Sequence, residues 1–368
     1  MAFETPIAHQ KLKDKLIASF KEERNSHALL FLGKNGSGTL PLAIEYAKML
    51  IGGLNPDGAT KKMLDGYTHP DFHFSFPVVL SNGKTSDGVI TQWREMLEEN
   101  VYMNIHEWIE KISGDANKKG VIGKDESQAI IKKLNLKSYQ GGNKVMLIWM
   151  ANEMNISAAN KLLKIIEEPP ANTYFLLVAE NHESILPTIL SRTQIIKVPK
   201  YSTEVISNEL QRNYQVNNDV AYSLASLAEG DFNKAKILVL EQDSNATYFD
   251  VFVSWMRLCY KKDVNGLIDW TDDIATLKRE KLKTFLEYGL HVFRQCMLGK
   301  YGTDSLTAMR GNESDFVKKF GTFIHGKNVI QLNEQFNTAH YHLERNGNGK
   351  IIMLDLSFSV LKLLHIKP

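Results

Sequence analysis

A chain of 368 residues, 43% hydrophobic and 23% charged, has the composition of a globular protein and is long enough for two or three domains. Lysine and arginine total 44 against 42 for aspartate and glutamate, so the chain as a whole has no electrostatic footprint for nucleic acid, and only a local basic face could supply one. Cys259 and Cys296 are its two cysteines; they lie far apart without a Cys-x-x-Cys, which excludes a disulfide framework and reads as buried thiols of a cytosolic protein.

The opening, MAFETPIAHQKLKDKL, does not read as a signal peptide, and no apolar run approaches the roughly 20 residues that span a membrane. The expectation is a cytoplasmic protein with no membrane contact. An amphipathic stretch at 9–22 precedes the apolar run ALLFL at 28–32. Further β-rich runs follow at 72–79, 145–150, 174–179 and 195–198, with amphipathic stretches at 40–51, 126–139 and 157–168 between them. Short continuous apolar runs suit strands covered on both faces of a parallel sheet. Their alternation with helical stretches predicts an open α/β sheet.

Residues 80–125 stand apart as an insertion, in which TQWREMLEENVYMNIHEWIEKI predicts one or two amphipathic helices. Trp93 and Trp108 are expected to pack on their own domain, with partner binding the alternative. After about residue 200 the strand pattern stops. Three short helical patterns fill 203–242, and longer ones run from about 246 to the end. The division is therefore an α/β domain over 1–200, a small helical domain over 201–245 and a helical C-terminal domain over 246–368.

FLGKNGSGTLPLA, residues 31–43, looks like a phosphate-binding loop of the form G-x-x-x-x-G-K-[ST], in which lysine reaches the β/γ oxygens and the hydroxyl holds Mg²⁺. Gly33 and Gly38 take the glycine positions, but Thr39 stands for the lysine and Leu40 for the hydroxyl residue. Read by itself, the stretch is an ordinary strand–turn–helix with glycine in a tight turn, whose exposed N–H groups could still attract an anion. KVMLIWMANEMN, residues 144–155, runs its strand into Trp149 and Met150, where a nucleotide hydrolase carries the acids that hold the metal and activate water.

The most specific stretch is ANKLLKIIEEPPANTYFLLVAENHESILPTILSRTQII, residues 159–196. Its LLK-x-x-EEPP helix, buried strand and Ser-Arg-Thr ending resemble the AAA+ clamp-loader family of DNA replication. HQKLKDKLIASFKEERNSHALLFLG, THPDFHFSFP at 68–77 and LERNGNGKIIMLDLSFSVLKLL at 343–364 are similar to further parts of that family. The resemblance implies an AAA+ core, a helical lid and an all-α collar that assembles a ring. It also implies that the sensor threonine falls at Ala179 or Glu180, and the lid arginine at Asn233 within Gly230-Asp231-Phe232-Asn233.

Every group that touches Mg·ATP in active members is thus replaced, while Ser191, Arg192 and Thr193 remain. The resemblance implies a subunit with no ATPase, no cofactor and a vestigial loop (Gly33, Gly36, Gly38, Thr39), which offers Arg192 in trans to a neighbour's ATP. That role calls for an exposed arginine, unpaired with any carboxylate of its own chain. The implied partners are the ATPase (gamma/tau) and delta subunits, with the sliding clamp and primer-template DNA reached through the complex. Many relatives carry a four-cysteine zinc module, whereas residues 51–67 contain no cysteine, so no zinc is expected. The alternatives are a divergent ATPase with its own weak nucleotide site and a primarily DNA-binding protein.

Overall fold

The computed structural model describes residues 7–79, 85–116, 118–139, 141–240, 248–277, 279–300, 311–345 and 347–367. The first residues of the expected insertion and the 245/246 boundary lie outside them. Five strands are described: β1 Ala28–Leu32, β2 Phe72–Ser75, β3 Lys144–Ile148, β4 Thr173–Ala179 and β5 Gln194–Lys197. Around and after them run α1 Gln10–Lys21, α2 Thr39–Gly52, α3 Gly58–Asp65, α4 Ile90–Glu99, α5 Ile105–Ser113, α6 Lys124–Leu134, α7 Ile156–Glu167, α8 Pro187–Leu190 and α9 Thr203–Tyr214. The remainder is helical: α10 Asn218–Leu227, α11 Phe232–Leu240, α12 Tyr248–Lys261, α13 Val264–Ile274, α14 Arg279–Lys300, α15 Gly311–Phe320, α16 Val329–Glu344 and α17 Gly349–Leu364.

The strands form one parallel sheet in the order β2-β3-β4-β1-β5. Successive side chains of a strand point to opposite faces, and the two cores divide accordingly. Leu29, Phe31, Val145, Leu147, Leu176 and Val178 face one core with α2, α4 and α5. Leu30, Met146, Ile148, Phe175 and Leu177 face the other with α6 and α7. Both faces of β3 are therefore buried throughout, which is why its sequence reads as a continuous apolar run. β2 is shorter than the apolar run at 72–79 because Pro77 has no N–H for the ladder; beyond it, Val78 makes an isolated antiparallel bridge to Val121.

The insertion belongs to the first core. Trp93 and Trp108 are both fully buried and meet edge to face, with centroids 5.2 Å apart. Phe76 stacks on Trp93 at 4.2 Å, and Trp108 Nε1 donates to the Pro77 carbonyl at 2.8 Å. A reciprocal cap starts α5: Asn104 Oδ1 accepts from the Glu107 N–H, and Glu107 Oε2 accepts from the Asn104 N–H, which satisfies two backbone donors at once.

By packing, the chain divides into two compact units, residues 1–205 with 229–234, and 206–228 with 235–368. The second unit is wholly helical among its described residues and is built on aromatic packing. Trp255 stacks on Trp270 at 4.9 Å and donates to Ser357 Oγ at 2.8 Å. Cys259 and Cys296 are buried free thiols, and burial pushes each of them up to about 12, so both stay protonated and unreactive near neutral pH.

Candidate functional site

The glycine loop follows β1 and ends at Gly38, whose φ of 85° starts α2 without a side-chain cap. Gly36 also has positive φ, a conformation glycine adopts at little cost. The bend is fixed from inside: the Ser37 N–H donates to the Lys34 carbonyl, and the His9 Nε2–H donates to the Ser37 carbonyl at 2.7 Å. Burial lowers the His9 pKa, and its neutral ring stacks on Tyr201 at 4.7 Å. Pro41 sits in the first turn of α2 and removes one of the N–H groups that a helix N-terminus offers to an anion.

The space in front of the loop is taken by the chain itself. It is lined by Asn35, Gly36, Thr39, Pro41, Tyr102, Met103, Met150 and Glu180, among others, and amounts to about 20 Å³. Such a space holds roughly one water, whereas pockets for drug-sized ligands run to several hundred Å³. Trp149 and Met150 are buried at the end of β3, and Trp149 packs against Trp93 with centroids 5.2 Å apart.

The second closure comes from residues 229–234. The Phe232 N–H donates to the Gly36 carbonyl at 3.1 Å, and the Tyr201 N–H to the Gly230 carbonyl at 3.3 Å. The Phe232 ring meets Tyr102 edge to face at 4.9 Å. A Cβ on Gly36 would come within 1.8 Å of Asp231 Oδ1, so the carboxylate lies directly on the loop. Asn233 is 1% exposed; its Oδ1 accepts from Asn100 Nδ2 and its Nδ2 donates to Glu107 Oε2, both at 2.7 Å. The amide thus ties the start of α11 to the α4–α5 connection and to the α5 cap.

Electrostatics at the loop run against a polyanion. Burial raises the Asp231 pKa. Glu180 is raised by burial first, with Lys34 pulling the other way and the Asp231 and Glu153 charges adding to the rise. Two carboxylates that already resist ionisation would be forced further by triphosphate charge.

Arg192 follows the short α8 and precedes β5. Its backbone N–H donates to the Ile189 carbonyl, and Thr193 Oγ1 donates to the same carbonyl at 3.1 Å. The expectation of an arginine without a carboxylate partner is corrected. Arg192 Nε donates to Glu167 Oε2 at 2.7 Å, and Nη1 donates to the Thr188 carbonyl at 3.0 Å and more weakly to Ser191 Oγ at 3.4 Å. The physical reason is that α7 ends at Glu167 beside α8, which puts a carboxylate within reach of the guanidinium. The pair remains open to solvent, with side chains 31% and 55% exposed, and a pair of that kind contributes about 0.2–1 kcal/mol.

The loop residues Gly33, Gly36, Gly38 and Thr39 thus lie together, whereas the partners of Arg192 are Glu167, Thr188 and Ser191, none of them in the loop. Residue patterning does not reveal the roles of Tyr102, Met103, Asn100, Glu107 and Asp231 at the loop, because these are long-range contacts. The alignment of Asn233 with the lid arginine was the one available signal. Among the described residues no cluster of His, Cys, Asp or Glu is arranged to hold a metal, and no helix is long and apolar enough to cross a membrane.

A parallel sheet in this order, with a glycine loop between β1 and α2 and helical segments after β5, defines an AAA+ core followed by a helical part. The model of the family described as "DNA polymerase III, delta subunit" matches residues 8–202, and the chain belongs to that family. It is similar to DNA polymerase III subunit delta' of Bacillus subtilis, 26% identical over 268 residues, covering 67% of this chain and 69% of that one. The same subunit of Escherichia coli K12 is 26% identical over 301 residues, covering 80% and 76%. That of Haemophilus influenzae is 28% identical over 218 residues, covering 58% and 53%.

Proposed function

We propose that this chain is a non-catalytic subunit of a replicative clamp loader, the counterpart of the delta' subunits it is similar to. It assembles with ATPase (gamma/tau) and delta subunits and supplies Arg192 to ATP held by a neighbour. The observation that carries the reading is the filled loop: about 20 Å³ of space, two half-buried carboxylates, and neither lysine nor acid where a hydrolase needs them. A chain that gives up its own site yet presents a half-exposed arginine beside an edge strand is suited to chemistry next door. The guanidinium would neutralise charge on the departing phosphoryl group, an effect worth roughly 10³–10⁵ in rate at the site served. The helical segment from about residue 246 is the proposed assembly element, and the sliding clamp and primer-template DNA are reached through the assembled complex.

The test is Arg192→Ala in the complex reconstituted with its ATPase and delta subunits. The isolated variant should melt within about 1–4 °C of wild type, since at most a surface ion pair is lost. The complex should assemble, and the share of DNA- and clamp-stimulated hydrolysis that passes through the served site should disappear. Lysine should rescue poorly, because it lacks the planar fork of donors. A variant complex that hydrolyses ATP and loads clamps as wild type does would refute the trans-acting role.

A further inference from the structure

Building on Arg192 as a trans-acting group, the geometry points to Glu167 as the residue that positions it. A guanidinium carries five N–H donors in one rigid plane. Two sides of that plane are engaged within the chain: Nε by Glu167 Oε2 at 2.7 Å, and Nη1 by the Thr188 carbonyl at 3.0 Å. Nη2 donates to no partner among the described residues. One anchor would leave the group free to swivel about the bond. Two anchors from different elements fix the plane and leave Nη2 free to meet an anionic oxygen.

The anchor itself is on a rigid element. Glu167 ends α7, whose Leu162, Ile165 and Ile166 are buried in the sheet's second core, and Pro169-Pro170 follow after Glu168. A glutamate in the last turn faces the negative end of the helix dipole, so its place there is unfavourable by itself and is offset by the arginine. The pair is also half-open to solvent, so the carboxylate holds the guanidinium without sequestering it. Glu167 is therefore a positioning residue: it sets the guanidinium before a neighbour arrives and lowers the ordering cost of its engagement.

The test compares Glu167→Ala, Glu167→Gln, Arg192→Ala and the Glu167→Ala/Arg192→Ala double variant in the reconstituted complex, alongside ¹⁵N relaxation of the Arg192 Nε–H in the isolated full chain. Glu167→Ala should make that N–H more mobile and lower turnover through the served site on the order of 10-fold, with KM little changed, since the loss is one of orientation. Glutamine keeps an oxygen acceptor and should restore most of the rate. In the Arg192→Ala background, Glu167→Ala should have no further effect. An equal loss in both backgrounds would make Glu167 merely structural and overturn the inference, as would an unchanged Nε–H mobility. An active Glu167→Ala complex beside an impaired Arg192→Ala complex would overturn the positioning role and leave the trans-acting arginine standing. An unimpaired Arg192→Ala complex would instead sink the reading on which the inference rests.

Discussion

Replacing Asn233 with alanine probes whether the loop is held shut by the chain. The side chain is 1% exposed and makes two hydrogen bonds of 2.7 Å, one from the Asn100 amide and one to the Glu107 carboxylate. A neutral hydrogen bond contributes about 0.5–1.5 kcal/mol and one to a charged group about 1.5–3 kcal/mol. Asn233→Ala should therefore cost roughly 2–4 kcal/mol, with the Asn104 N–H still capped by Glu107. For a unit of this size each kcal/mol moves the midpoint about 2–4 °C, so the expected fall is roughly 4–16 °C. Calorimetry would measure it, with tryptophan fluorescence reporting on Trp93, Trp108 and Trp149. Asn233→Asp should be worse than alanine at neutral pH, because the introduced carboxylate faces Glu107. Its pKa should be raised, so the deficit should shrink as pH falls and a proton restores the hydrogen bond. A Tm for Asn233→Ala within about 1 °C of wild type would refute the tie between α11 and α5.

Thr39→Lys should fail to create Mg·ATP affinity, because the missing lysine is only one defect and the space holds about one water; a fluorescent ATP analogue binding at micromolar concentration would show otherwise. Glu180 has a raised pKa from burial, so its ionised form is less favourable folded than unfolded and stability declines as pH rises through the raised value. Glu180→Gln should accordingly raise Tm at about pH 7, with the gain vanishing near pH 4 where both side chains are neutral; a gain independent of pH would contradict the assignment. Trp108→Ala should cost about 3–5 kcal/mol through the cavity it leaves, whereas Phe should forfeit little beyond the hydrogen bond to Pro77; urea denaturation of both variants would separate packing from polar contact.

The alternation of apolar runs with amphipathic stretches was enough to place all five strands and most of the helices between them, because a parallel sheet covered on both faces demands continuous apolar strands; the short α3 at Gly58–Asp65 was not among them. The residues on which the proposed loss of nucleotide chemistry rests are local as well: Thr39, Leu40, Trp149 and Met150 each sit at a fixed offset within a short motif. What fills the loop was not legible. Asn100 and Glu107 reach Asn233 across 133 and 126 residues, and Tyr102 reaches Phe232 only because the insertion packs beside the loop that follows a central strand. The Glu167–Arg192 pair spans 25 residues and forms because β4 returns the chain from the end of α7 to α8. Patterning along a chain records which face of an element is apolar, while partner choice between elements depends on the order in which strands are laid side by side. Here that order brings Asp231, the Phe232 backbone and Tyr102 of the same chain against the glycine loop.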